Sequence, residues 1–141
     1  MKNDSLVNNK TVLIVDDIPF VRKTLKQILL HQGYRVVGEA ETGEEAVQMY
    51  RETKPCIVTM DLVMPIMNGV EATKKIIQFD PTAKIVILSA MMQENLVTEA
   101  ILAGAKDYIM KPFQTDDVAR VLNQVIKNAE EFNQNEAGGA A

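Results

Sequence analysis

Apolar positions along the chain form short continuous runs, which alternate with longer segments of helical spacing. Runs of four to seven mostly apolar residues are typical of strands buried on both faces of a parallel sheet. Segments with apolar residues three or four positions apart are typical of helices that cover such a sheet. The predicted strands are 11–16, 34–40, 56–61, 84–89 and 107–110. The predicted helices are 18–32, 44–53, 70–79, 94–103 and 116–130.

This alternation of strands and helices predicts an α/β fold, with one five-stranded parallel sheet and helices on both faces. Crossovers between parallel strands are right-handed, and the strand order expected for five such units is 2-1-3-4-5. We expect one domain over residues 11–131, with a flexible N-terminal tail at 1–10 and a flexible C-terminal tail at 132–141.

Polar residues follow the predicted strands at the ends where a sheet of this order binds its ligands. Strand 1 ends at Asp16 and Asp17, strand 3 at Asp61, strand 4 at Ser89, and Lys111 follows strand 5. Three carboxylates in one cleft repel one another unless a cation neutralises them. Carboxylate oxygens suit Mg2+, which also binds phosphate oxygens. The pattern predicts a site where a metal ion and a lysine surround a phosphoryl group, with a carboxylate as its acceptor.

Composition and charge argue against several classes of function. The 141 residues are 47% hydrophobic and 24% charged, with a formal net charge of −4. An acidic chain is a poor match for nucleic acid or an anionic membrane, which clustered Lys and Arg recognise. No apolar run approaches the roughly 18 residues that span a bilayer. The N-terminus lacks a signal-peptide core, and the single Cys56 permits no internal disulfide, so we expect a cytoplasmic protein.

Two common nucleotide-binding motifs are missing from the sequence. The loop after strand 1 carries Asp-Asp-Ile-Pro-Phe and no G-x-G-x-x-G, which argues against a dinucleotide site. The chain also has no G-x-x-x-x-G-K-[ST], so a P-loop is excluded.

Four segments together resemble the receiver domain of two-component response regulators. They are VLIVDD (12–17), MDLVMPIMNG (60–69), ILSA (87–90) and DYIMKPF (107–113). The similarity covers about residues 11–128 and implies a flavodoxin-like receiver fold with the same strand order. Each segment is weak evidence alone, but the set in this order and spacing is specific.

The resemblance implies a role for each residue at the strand ends. Asp61 corresponds to the residue that accepts the phosphoryl group. Asp17 and Asp61 would bind Mg2+ directly, together with the backbone carbonyl of Val63, and Asp16 would act through a coordinated water. Lys111 would pair with Asp61 before phosphorylation and with the phosphoryl oxygens afterwards.

Further residues correspond to the switch and to the lifetime of the phosphorylated state. Ser89 would hydrogen-bond a phosphoryl oxygen, and Tyr108 matches an aromatic residue that turns inward when the protein is activated. Val63 and Met91 match the two side chains that border the approach of water to the phosphoryl group. Because both are apolar, we expect slow spontaneous dephosphorylation. The Lys111–Pro112 bond matches a cis peptide bond of the family.

Within the family, the chain is most similar to single-domain CheY-type chemotaxis regulators. Such a protein is a phosphorylation switch rather than a conventional enzyme. The implied phosphodonor is a phosphohistidine on a histidine kinase, and the implied output is binding to a flagellar switch component or another protein. A partner phosphatase is also implied. We expect a monomer, and because the chain ends after the fifth helix, we expect no DNA-binding output domain.

Two other functions use similar residues. A Mg2+-dependent phosphatase of the haloacid dehalogenase type also has an aspartate nucleophile, with Asp-x-Asp after strand 1. In this chain the position of the second aspartate, the general acid, is Ile18, which has no proton to donate. The other alternative is a receiver-like interaction module that takes no phosphate, although all the expected site residues are present.

Overall fold

The strands and helices of the chain follow the predicted alternation. A computed structural model describes the backbone of residues 10–139 and the side chains of residues 10–131. The strands are β1 (Thr11–Val15), β2 (Arg35–Ala40), β3 (Ile57–Asp61), β4 (Ile85–Ser89) and β5 (Asp107–Met110). The helices are α1 (Pro19–His31), α2 (Gly43–Thr53), α3 (Gly69–Phe79), α4 (Glu94–Ala103) and α5 (Thr115–Gly139).

All strand pairs are parallel, and the order is β2-β1-β3-β4-β5. The predicted fold class and strand order are therefore confirmed. Strands β1, β3 and β4 are buried along their whole length, as their continuous apolar runs predict. The chain moves from β1 outward to β2 on one side and then crosses to β3 on the other side. The order of the strands therefore reverses between β1 and β3.

Two apolar cores lie on opposite faces of the sheet. Alternate residues of each central strand point to opposite faces, so Leu13 and Met60 belong to one core, while Ile14 and Ile57 belong to the other. Helices α2, α3 and α4 cover the first face. Helices α1 and α5 cover the second. This packing on both faces holds the carboxyl ends of the strands together at one edge of the sheet.

Helix starts and ends follow local capping chemistry. Thr42 and Asn68 each accept a hydrogen bond from a backbone N–H of the following first turn, at 3.1 and 2.9 Å. Helix α1 begins with Pro19, whose missing N–H would have no partner there. These local signals explain why most predicted boundaries lie within one residue of the observed ones.

The last helix is longer than predicted. We expected it to end at residue 130, but α5 continues to Gly139. No glycine or proline stands between Thr115 and Gly138, so nothing in the local sequence breaks the helix earlier. The proposed flexible tail at 132–141 stays a prediction, and residues 1–9 and 140–141 lie outside the described residues. Among the helices of residues 10–139, none is long and apolar enough to cross a membrane.

Candidate functional site

Strand register brings the predicted polar residues to one edge of the sheet. Met60 pairs with Val15, Asp61 with Leu88, and Ser89 with Met110. The residues next in sequence to Val15 and Met110 are Asp16 and Lys111, and they extend the same edge. All the side chains predicted for this edge therefore lie at the carboxyl ends of neighbouring strands, as the topology requires.

Three carboxylates form a cluster at this edge. Asp16, Asp17 and Asp61 each offer a carboxylate oxygen, and these oxygens lie within 4.8 Å of one another. Asp16 is fully buried and Asp61 is 6% exposed. Asp17 is the most accessible of the three and lies on the solvent side of the cluster.

Lys111 lies against two of the three carboxylates. Its Nζ donates to Oδ2 of Asp16 at 2.9 Å and to Oδ1 of Asp61 at 3.2 Å. The sequence led us to expect the contact with Asp61, but not the shorter one with Asp16. Lys111 thus balances part of the charge of a cluster that is otherwise negative. The bond between Lys111 and Pro112 is cis, as the family resemblance implies.

Asp16 has a partner on each of its polar atoms. Its N–H donates to the carbonyl of Ala40 at 3.0 Å, and its Oδ1 accepts from the N–H of Ile18 at 2.9 Å. Its carbonyl oxygen accepts from Nη1 of Arg22 at 2.8 Å, and its Oδ2 accepts from Lys111. Burial of an ionised carboxylate is costly unless it is paired and hydrogen-bonded, and Asp16 meets both conditions.

The Asp61 carboxylate is held through one of its two oxygens. Oδ1 accepts from the N–H of Leu62 at 3.0 Å and from Lys111. The loop that follows closes tightly, because the N–H of Gly69 donates to the carbonyl of Leu62 at 2.8 Å. A Cβ at Gly69 would collide with the carbonyl oxygen of Asp61. Only glycine lets the start of α3 approach the end of β3 this closely.

Burial is the main influence on the pKa of Asp61, and it raises that pKa. The pKa of Asp61 is raised from 3.8 to about 6; desolvation is the largest cause, the negative charge of Asp16 adds to it, and Lys111 opposes both effects. For Lys111, burial alone would lower the pKa, but the hydrogen bond to Asp16 and the charge of Asp61 outweigh burial, so the pKa is raised. The lysine stays charged, while the Asp61 carboxylate is destabilised in the absence of a further cation.

The raised pKa predicts an unusual pH dependence of stability. Between about pH 4 and pH 6, folded Asp61 holds a proton that the unfolded chain has lost, so metal-free stability should fall as pH rises through this window. A shift of this size corresponds to about 3 kcal/mol at pH 7. We therefore expect Asp61→Asn to be more stable than the wild type at pH 7 and as stable as the wild type at pH 4. Chemical unfolding in the presence of a metal chelator measures both stabilities. A stability difference that does not change with pH would contradict this prediction.

The donor set fits Mg2+. The cluster offers oxygen atoms only, from three carboxylates, and hard cations such as Mg2+ prefer such ligands. Asp17 is the exposed member of the cluster, and Mg2+ usually keeps several waters when it binds. Val63 follows Asp61 by two residues on the same loop, and its carbonyl oxygen as a ligand stays a prediction.

Ser89 and Tyr108 lie on the side of the site that faces α4. Ser89 is buried at the end of β4, and its carbonyl accepts from the N–H of Lys111 at 2.7 Å. Tyr108 is 47% exposed and lines an open groove of about 380 Å3 between α4 and β5, whose floor reaches Ser89. The predicted switch residues thus line one groove, where Ser89 is buried and Tyr108 is half-exposed. Their roles stay predictions.

The two apolar side chains predicted to border the phosphoryl group, called the apolar rim here, are both exposed. Val63 is 56% exposed and Met91 is 71% exposed, and both stand on loops that follow site residues. Ile66 and Met92 on the same two loops are also exposed. Both have a positive φ, 70° and 71°, which is uncommon for side chains of this size. Each loop therefore exposes two large apolar side chains to solvent.

Sequence analysis missed Arg22. Its guanidinium contacts the carbonyl of Asp16, and it also pairs with Glu39 and Glu41 at the end of β2. The sequence offered no signal that singles it out, because Arg22 and Lys23 both stand between the apolar positions Val21 and Leu25, and only the structure shows that Lys23 is exposed.

The family model for the response regulator receiver domain matches residues 12–123. The chain belongs to this family of signalling proteins. It is 57% identical to the chemotaxis protein CheY of Thermotoga maritima, over 84% of this chain and 98% of that protein. It is 50% identical to CheY of Bacillus subtilis, over 82% and 96%. These relatives place the chain among the phosphorylation-activated chemotaxis response regulators of the CheY type.

Solved structures agree with this assignment. CheY of Borrelia burgdorferi, in a complex with CheX, BeF3 and Mg2+, is 39% identical with a TM-score of 0.74, over 83% of this chain and 87% of that one. The receiver domain of Thermotoga maritima CheB is 38% identical with a TM-score of 0.73, over 84% and 94%.

Proposed function

We propose that Asp61 is the phosphoacceptor of this response regulator and receives its phosphoryl group from a phosphohistidine of a separate histidine kinase. Asp16, Asp17 and Asp61, with the carbonyl of Val63, would hold Mg2+, and Lys111 and Ser89 would contact the phosphoryl oxygens. One observation carries the proposal. Lys111 bridges Asp16 and Asp61 at 2.9 and 3.2 Å inside a cluster of three carboxylates.

The geometry supports Asp61 rather than its neighbours as the nucleophile. Both hydrogen bonds found for its carboxylate end on Oδ1, whereas both carboxylate oxygens of buried Asp16 are occupied. Asp61 therefore retains one oxygen that can attack phosphorus. Asp17 is accessible, but among the described residues Lys111 forms its ion pairs with Asp16 and Asp61.

The transfer forms one bond and breaks one bond. The free oxygen of Asp61 attacks phosphorus, and the P–N bond of the phosphohistidine breaks, with its electron pair remaining on the imidazole nitrogen. Lys111 holds the opposite oxygen of Asp61 in place and then offers its ammonium group to the transferred oxygens. Mg2+, when bound, would supply further positive charge for the carboxylates and the phosphoryl oxygens.

A phosphatase would use the same nucleophile but needs a general acid. The position that would supply it is Ile18, a partly exposed aliphatic residue beside the cluster. Its N–H donates to Asp16, so the backbone at this position serves the site, but the side chain cannot protonate a leaving group. This observation favours phosphoryl storage over turnover of phosphate esters.

The proposal can be tested directly on the whole chain. Incubation with Mg2+ and a small acyl phosphate or phosphoramidate should give a mass gain of one phosphoryl group, labile to hydroxylamine. Steady hydrolysis of p-nitrophenyl phosphate would instead support the phosphatase. If neither phosphorylation nor hydrolysis occurs, the result would support an interaction module that takes no phosphate.

The output surface we propose is formed by the groove between α4 and β5. Ser89 on its floor would bond a phosphoryl oxygen and draw the loop of residues 90–93 inward, and Tyr108 would then enter the space. This is a two-state element whose equilibrium shifts only as far as the new contacts favour one state. A flagellar switch component or another output protein would bind this surface. A separate partner phosphatase, which could resemble CheX, would remove the phosphoryl group. The regulator itself would be a cytoplasmic monomer.

Ser89→Ala should separate phosphorylation from output. The variant keeps all three carboxylates and Lys111, so we expect it to take up phosphate. It lacks the hydroxyl that links phosphate to the loop, so it should lose most of the phosphorylation-dependent gain in partner affinity, about 5- to 100-fold in a typical coupled system. Binding of an output protein, measured with and without phosphorylation, checks this. Thr53→Ala, which removes an exposed hydroxyl on α2 outside the groove, is the matched control. Equal gains in Ser89→Ala and the wild type would contradict the switch.

A further inference from the structure

Arg22 lies between the acidic cluster and two glutamates near the end of β2. Its side chain is only 12% exposed, and its guanidinium reaches three acceptors on two segments. Nη1 donates to the carbonyl oxygen of Asp16 at 2.8 Å, Nε to Oε1 of Glu39 at 3.3 Å, and Nη2 to Oε1 of Glu41 at 3.3 Å. The shortest of the three contacts is the one to the backbone beside the cluster.

The Asp16 carbonyl belongs to the peptide that joins Asp16 to Asp17. Asp16 is already fixed at its N–H and at both carboxylate oxygens, so Arg22 completes the restraint by fixing the plane of that peptide. None of the hydrogen bonds found among residues 10–131 ends on the Asp17 carboxylate. The direction of Asp17 is therefore set through its backbone, and Arg22 holds that backbone.

We propose that Arg22 is a positioning residue for the metal site, and that Glu39 and Glu41 serve to hold its guanidinium against the Asp16–Asp17 peptide. The inference rests on the proposed Mg2+ site. Partners that orient metal ligands from outside the coordination sphere typically contribute 10- to 100-fold to metal affinity. Arg22 would do so through the peptide plane rather than through a ligand side chain.

Two simpler explanations predict different results. If Arg22 acts only through its charge, its removal leaves the cluster more negative, and Mg2+ should bind more tightly. If Arg22 only stabilises the fold through its ion pairs, its loss should lower the melting temperature equally with and without Mg2+. Positioning predicts weaker Mg2+ binding, the opposite sign from the charge effect.

The test compares Arg22→Met, Arg22→Lys and Lys26→Met with the wild type. Met keeps the apolar stem and removes every donor, while Lys keeps the charge but lacks the fork that spans Asp16 and the glutamates. Lys26 is the matched control, because it pairs with Glu39 at 3.5 Å and its ammonium contacts no acceptor on Asp16. Mg2+ affinity is measured by calorimetry, and melting temperature is recorded with and without Mg2+.

We expect both Arg22 variants to bind Mg2+ about 10-fold more weakly or worse, and to lose most of the Mg2+-induced rise in melting temperature. Lys26→Met should stay within twofold of the wild type. Unchanged or tighter binding in Arg22→Met, or full affinity in Arg22→Lys, would overturn the inference. If Arg22→Met does not fold, Arg22→Lys decides alone. A wild-type protein that binds no Mg2+ would overturn the proposed function and this inference together, whereas normal wild-type binding with unaffected variants would overturn only the inference.

Discussion

Asp61→Asn should abolish phosphorylation of this chain by a small phosphodonor in Mg2+. The amide is a far weaker nucleophile than the carboxylate, and the neighbouring carboxylate of Asp16 has Ile18 and Lys111 bound to its two oxygens. We expect the rate of mass gain to fall at least 100-fold, while the circular dichroism spectrum is unchanged. Intact-protein mass spectrometry over time checks the prediction.

The control for this variant is Asp116→Asn, which makes the same chemical change at an exposed acid in the first turn of α5. It should label at the wild-type rate. Labelling of Asp61→Asn at Asp16 or Asp17 at the wild-type rate would show that the acceptor was assigned incorrectly. The same pair of variants also controls for loss of net charge, since each removes one negative charge.

Replacing the apolar rim should shorten the life of the phosphorylated state. Val63 and Met91 are exposed on the loops that follow Asp61 and Ser89, and neither can hydrogen-bond a water that attacks the phosphoryl group. A polar pair can hold and orient such a water. We expect Val63→Asn/Met91→Glu to lose phosphate about 10- to 100-fold faster than the wild type. Decay is followed by mass spectrometry after the donor is removed.

Ile66→Asn/Met92→Glu is the matched control for the rim. It makes the same two substitutions on the same two loops, at residues that are 81% and 86% exposed. Because these side chains are not the pair predicted to border the approach of water, decay should stay within about twofold of the wild type. Equal acceleration in both double variants would mean that surface polarity, rather than water placement, controls the lifetime. No acceleration in Val63→Asn/Met91→Glu would remove the basis for slow self-dephosphorylation, and with it the need for a partner phosphatase.

The site could be predicted largely because its residues stand at strand ends. Asp61 and Ser89 terminate apolar runs, and parallel topology brings such ends to one edge wherever the chain order places the strands. The family resemblance then supplied roles that spacing could not. Val63 and Met91 were identified in this way, since an exposed valine and an exposed methionine carry no chemical signal of their own.

Other features depend on distances that sequence does not contain. The contact between Lys111 and Asp16 joins residues 95 positions apart, and Arg22 meets Glu39 across 17 positions. The raised pKa of Asp61 is a balance of burial, Asp16 and Lys111, and each contribution depends on packing. No local pattern measures that balance.

The sequence by itself determined the five strands and the five helices, because burial on a regular backbone leaves a periodic pattern along the chain. The strand order, and with it the edge that receives the polar residues, came from the general rule for such sheets and from the family resemblance. Tertiary structure alone decided which oxygen of Asp61 stays free, how Arg22 fixes the Asp16–Asp17 peptide, and that Tyr108 lies half-exposed at the groove. These features follow from how side chains of distant segments share space and charge.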